Sequence, residues 1–177
     1  MAALWPAFQS QLTSYLAANN AKNEAATAKK IGQLYNQAVK TAMPILVPGA
    51  MPQGGSANII SKGFEASFKL GRALGKIKAN PGIWSPAGLA VVAYWTGKTF
   101  TPVPPPTWIS GANVVIVPGV PPIPQIYSAM QAQTPAGVSA GLAAAFTTHL
   151  LSVSGMFTGP NAASLGAPVP FPWVGVA

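Results

Sequence analysis

Glu24, Glu65 and His149 are the residues from which acid–base chemistry could be built, since the chain holds only two acidic side chains and one histidine. A glycosidase-type pair would need the two glutamates together, one as acid and the other as base or nucleophile. A serine nucleophile would need His149 as its base and one of the same glutamates to orient the imidazole. Cysteine is absent, which removes thiolate nucleophiles and disulfides. Zinc and calcium sites need more ligand side chains than this inventory supplies. Neither standard glycine-rich phosphate-loop spacing occurs. The expectation is a non-enzymatic chain with no catalytic, cofactor-binding or metal-binding residues. His149 is then a histidine packed beside a helix stripe with one hydrogen bond.

The elements that would position these groups read as mainly α: several amphipathic helices joined by extended proline-rich segments. Residues 1–43 form an N-terminal helical region, with helix from residue 3. Leu4, Phe8, Leu12, Tyr15 and Leu16 recur at helical spacing, Asn19-Asn20 marks a break, and Ile31, Leu34, Tyr35, Ala38, Val39 and Ala42 make a second stripe. Pro44 ends it, because proline disfavours helix in the residue before it. Ser56 can cap a helix running to about Lys78, whose small residues Gly63, Ser67 and Gly71 let another backbone come close. A short helix follows, with Ser85 as cap and Trp95 near its end. Residues Asn113 to Val117 are a candidate strand of β-branched residues. Gln125 to Gln133 is a short helix, and Thr134 caps a last one ending at Gly155, with Val138, Leu142, Phe146, His149, Leu150 and Val153 on its stripe. An extended C-terminal arm rich in Gly and Pro completes the chain.

Charge is distributed unevenly along this layout. Only 7% of residues are charged, against about 25% in an ordinary soluble domain. All ten basic residues lie at or before Lys98, and residues 99–177 contain no Lys, Arg, Asp or Glu, but thirteen of the nineteen prolines. So little surface charge implies that other molecules cover much of the surface. The formal charge of +8 rests on the first half. Lys22, Lys29, Lys30, Lys62, Lys69, Arg72, Lys76 and Lys78 form a candidate basic patch for an acidic partner or for nucleic acid, the latter less favoured. The uncharged run 136–157 is long enough to span a bilayer. Its serines, threonines and histidine, and the lack of flanking basic anchors, argue against insertion. Met1 to Pro6 shows no basic region followed by an apolar run, so no signal peptide is expected.

The two halves also share an order of parts. Ile45-Leu46-Val47-Pro48-Gly49 matches Val115-Ile116-Val117-Pro118-Gly119. Ile60, Gly63, Ala66 and Phe68 match Val138, Gly141, Ala144 and Phe146 at one offset. An internal duplication follows, with a first module over 44–108 and a second over 109–177 that carries the arm. The apolar residues in the proline-rich segments suit docking on neighbours, with Trp108, Ile123, Phe171 and Trp173 as partner-interface anchors.

The run Gly141-Leu142-Ala143-Ala144-Ala145-Phe146-Thr147-Thr148-His149, then Val153-Ser154-Gly155, then Pro170-Phe171-Pro172-Trp173-Val174-Gly175, resembles small virion structural proteins of tailed bacteriophages, the contractile-tailed ones above all. The resemblance covers this C-terminal stretch and the general character of the chain. It implies a non-enzymatic part of the particle: a tail or baseplate component, or an accessory protein of the head. Its partners would be other virion proteins and copies of itself, and its location the virion, assembled in the host cytoplasm. No functional residues carry over. The alternatives are a membrane-active protein inserting the helix around 136–157, or a basic nucleic-acid-associated virion protein.

Overall fold

A computed structural model of the chain describes residues 3–19, 23–43, 50–53, 55–75, 80–102, 115–160 and 168–176. The protein is mainly helical, as its stripes require. The order is α1 (Trp5–Asn19), α2 (Glu24–Val39), β1 (Ala50–Gln53), α3 (Ala57–Ala73), a 3-10 turn (Pro81–Trp84), α4 (Ser85–Trp95), β2 (Thr99–Pro102), β3 (Val115–Val117), α5 (Ile123–Met130), α6 (Pro135–Ser152), β4 (Ser154–Pro160) and β5 (Pro168–Val174).

Side-chain caps set the starts of α2, α3 and α6. The Asn23 carboxamide accepts from the Ala26 amide, Ser56 from Asn58 and Thr134 from Gly137. Helix α4 departs from the sequence expectation. Ser85 is its first residue, not its cap, and Trp84 at the cap position offers no oxygen. The missing acceptor comes from another helix: Ser67 Oγ on α3 accepts from the Ala87 amide at 3.1 Å. Ser67 can reach because Gly63, one turn earlier, lets α4 approach so closely that a Cβ there would overlap Ala90. The small-residue strip on α3 thus packs and caps its neighbour. Gly32 on α2 allows a like approach of α3, since a Cβ there would overlap Ser61 and the Ala57 carbonyl.

The core is an aromatic cluster. Phe146 on α6 meets Tyr35 of α2 at 4.8 Å between ring centroids, Phe8 and Trp5 of α1 at 5.7 and 5.8 Å, and Phe64 of α3 at 6.4 Å. Helix α4 joins through Tyr94, edge-on to Tyr35 at 5.0 Å, and through Trp95, whose indole N–H donates to the Tyr35 hydroxyl at 2.7 Å. Helix α3 lies between α2 and α4, and α6 between α1 and α5.

Two small antiparallel sheets flank the helices. Strand β1 pairs with β2, Ala50 opposite Pro102 and Gln53 opposite Thr99, and the second sheet has the order β3-β4-β5. The strand expected over 113–117 is present at Val115–Val117; residues 113–114 lie outside the described residues. The other strands had no local signature, because their prolines read as non-strand. The described end of the C-terminal segment pairs with the chain itself, β5 lying along β4 from Val174 opposite Ser154 to Pro168 opposite Pro160. In β5 Pro168, Pro170 and Pro172 alternate with residues that carry an N–H. The ladder to β4 must run through Val169, Phe171 and Trp173, which leaves the prolines on the outer edge. That edge lacks donors and resists addition of a further strand.

Two substitutions test this packing. Phe146→Ala should cost about 3–5 kcal/mol, because a fully buried ring is lost and its aromatic neighbours keep the cavity open. Ser67→Ala should cost about 1–3 kcal/mol by leaving the Ala87 amide buried without an acceptor. Denaturant midpoints at constant m-value measure both.

Candidate functional site

The fold brings Glu24 and Glu65 to one small pocket, lined also by Lys69 and Arg72, and gives each glutamate a basic partner. Glu24 at the start of α2 pairs with Arg72 near the end of α3 at 2.6 Å, and Glu65 pairs with Lys69 one turn along α3 at 2.6 Å. His149 on α6 is 2% exposed and bonds to neither glutamate. Its Nδ1 lies 2.9 Å from the Val120 carbonyl. A carbonyl can only accept, so Nδ1 carries the proton and Nε2 presents a lone pair. That Nε2 is buried without a partner. Burial holds the imidazole below its ordinary pKa, and the bond to Val120 offsets part of the shift. Among the described residues no group of three His, Cys, Asp or Glu could hold a metal ion.

Lys98 is a buried cation that spacing alone did not mark. It is 3% exposed, with its ammonium 4.0 Å from the centre of the Tyr94 ring and 5.1 Å from that of Trp95. Ring quadrupoles attract such a charge. Burial nevertheless lowers its pKa to about 8. Gly55, at a φ of +83°, brings backbone against the Lys98 stem and the Tyr94 ring, where any side chain would collide. The Tyr94 hydroxyl donates to Asn36 Oδ1 at 2.8 Å, and burial raises the pKa of both Tyr94 and Tyr35. A signal was present: an aromatic pair three and four residues before a lysine, across Gly97, puts ring faces within reach of its ammonium.

Two surfaces remain. Helices α2 and α3 run antiparallel, Glu24 meeting Arg72 at one end and Gly32 meeting Ala57 near the other. Between them runs a groove of about 650 Å³ lined by Lys29, Gln33, Ser56, Asn58, Ser61 and Lys62, among others. The second surface is apolar and belongs to the charge-free half. Val117, Ser154 and Val174 sit opposite one another across β3, β4 and β5, with Met156 two residues along the same face. Val117, Met156 and Val174 are exposed, and so are Val120 and Leu151 beside them in sequence.

Of the expected basic patch, the structure brings Lys29 and Lys62 to one groove and Lys69 and Arg72 into ion pairs. Lys30 lies half-buried on α2. Lys22, Lys76 and Lys78 fall outside the described residues, as does Trp108. Ile123 opens α5, half-buried against the chain's own core and over Gly88 of α4. Phe171 and Trp173 lie in β5, with only their backbone described. The uncharged run 136–157 is not one helix, since α6 stops at Ser152 and the chain turns extended at Val153. Among the described residues no helix is long and apolar enough to cross a membrane. Comparison with protein-family models, curated proteins and solved structures finds no match to this chain.

His149 makes stability depend on pH. The unfolded imidazole takes a proton near 6.5 and the folded one only at lower pH. Below 6.5 the unfolded state therefore binds more protons, so stability is full above that value and declines as pH falls through the window beneath it. The denaturant midpoint of the protein should drop between about pH 7.5 and 5. His149→Gln should remove part of that slope, read as the difference between the two profiles.

Proposed function

We propose that this chain is a non-enzymatic structural subunit of a bacteriophage virion, a tail or baseplate component or a head accessory protein, that works by packing against its neighbours. The observation that carries the packing role is the exposed apolar face of the β3-β4-β5 sheet, with Val174 64% and Val117 56% exposed. No charged side chain follows Lys98 to keep water on that half. An apolar face of this kind loses free energy when another protein covers it. The assignment to a virion rests on the resemblance of residues 141–175 to phage structural proteins. Partners in this reading are other virion proteins and further copies of the chain, and the location is the particle.

The finer features of the reading are the duplication and the arms. Gly63 and Gly141, equivalent at the repeat offset, each let a neighbouring short helix come close, Gly63 against α4 and Gly141 against Ala129 of α5. That parallel supports two related packing modules. Phe68 and Phe146 are not used alike, because Phe68 stacks edge-on with Trp84 while Phe146 occupies the centre. Trp108, Phe171 and Trp173 are the proposed anchors of the proline-rich segments on neighbouring subunits. With prolines along the outer edge of β5, contact is made face to face and through side chains, not by strand addition.

Light scattering on the isolated chain tests the packing role. The protein should be larger than a monomer and grow with concentration. Val117→Lys with Val174→Lys should return it to monomer, since charge on an apolar contact opposes desolvation. A sharply monomeric profile at high concentration, unchanged by the double variant, would overturn the reading.

A further inference from the structure

Lys29 on α2 and Lys62 on α3 line opposite walls of the groove between those helices, and both are exposed. Among the described residues neither forms an ion pair with a carboxylate: Glu24 is held by Arg72, and Glu65, which lines the same groove, by Lys69. Those two glutamates are the only acidic side chains the chain has. A second copy of the protein therefore has no free acidic side chain to set against this face. The counter-charge must come from a different kind of molecule, so this surface is distinct in its partner from the apolar sheet face.

The rest of the groove decides which kind. Asn23, Gln33, Ser56, Asn58 and Ser61 line it, with alanines between them, and Glu65 lines it too, its charge offset by Lys69. An acidic protein partner would be fixed by large apolar or aromatic anchors, and the groove offers no pocket rim of that type. A phosphate backbone needs none. It takes charge from lysines and hydrogen bonds from amide and hydroxyl groups, and it is bound without regard to base sequence. Reading of base edges needs a helix or ribbon inserted into a nucleic-acid groove, whereas these polar groups line a concave track between two helices.

We propose that the α2–α3 groove docks the phosphate backbone of nucleic acid without reading its sequence, with Lys29 and Lys62 as its charged contacts. The two lysines approach from separate helices, so a backbone in the groove meets one on each side. The helices are held in register by the Glu24–Arg72 pair and by the close approach at Gly32. The track is therefore preformed, and docking does not require the helices to move. This role is independent of the packing role and would survive its failure.

The test uses the full chain and two short labelled DNA duplexes of unrelated sequence, titrated by fluorescence anisotropy. Both duplexes should bind alike. If each lysine neutralises one phosphate, affinity should fall about tenfold as monovalent salt rises about fourfold. Lys29→Ala with Lys62→Ala should weaken binding to both duplexes equally and lower the salt slope by about two. Both side chains are exposed, so the variant should keep the thermal midpoint of the protein, which confirms that its fold is intact. An oligoglutamate peptide of matched charge is the competing probe. Tighter binding to that peptide than to DNA would overturn the assignment to nucleic acid. No binding at low salt, a preference for one duplex, or a salt slope untouched by the double variant would overturn the groove.

Discussion

Phe146 has to be enclosed, and the three helices that carry its ring neighbours are arranged by that need. Its ring touches rings from α1, α2 and α3 while its own helix runs between α1 and α5. Large aromatics bury more area per residue than aliphatic side chains, and edge-to-face contacts add to that burial. A cluster of this kind admits little repacking. Tyr35 is the shared member: it meets Phe146 and Trp5 by its ring, and Tyr94 and Trp95 on the side of α4. Tyr35 thereby links α4 to the rings that α1, α2 and α3 set against α6.

Polar groups inside this core follow from the same enclosure. A buried hydroxyl or indole N–H must find a partner, and Tyr35 with Trp95, and Tyr94 with Asn36, do so across helices. Thr27 Oγ1, the Trp84 indole N–H and His149 Nε2 are buried without one. Such groups oppose folding, and the aromatic and aliphatic burial around them must outweigh their desolvation. Lys98 is a buried charge and belongs to a different class, because rings lie against it. Its ammonium faces two rings, and its pKa falls because the medium around it solvates charge poorly.

Outside the core, the separation of charge along the chain becomes a separation of surfaces. The basic helices α2 and α3 lie side by side, with Glu24 paired across them and Glu65 paired within α3, and the uncharged segments supply a sheet with exposed valines and a proline-lined edge. A polar partner and an apolar one can then be engaged by different parts of one small protein. The two demands do not compete, because no acid is shared and no apolar anchor lies in the groove.

Composition alone determined the scarcity of reactive groups, the lopsided charge and the helical character of the chain, because these depend only on which residues are present and how often they recur. The stripes of α2, α3 and α6 and the caps at Ser56 and Thr134 were legible for the same reason: a helix is built from contacts three and four residues apart. Tertiary structure decided the rest. Strand β1 pairs with β2 across about half a hundred residues and β4 with β5 despite their prolines, pairings that no local window encodes. Ser67 caps a helix far along the chain, Lys98 finds two rings, and Lys29 and Lys62 come to face one another only because Gly32 lets α2 and α3 touch. Local spacing sets which face a residue takes. Only the packed fold sets what that face meets.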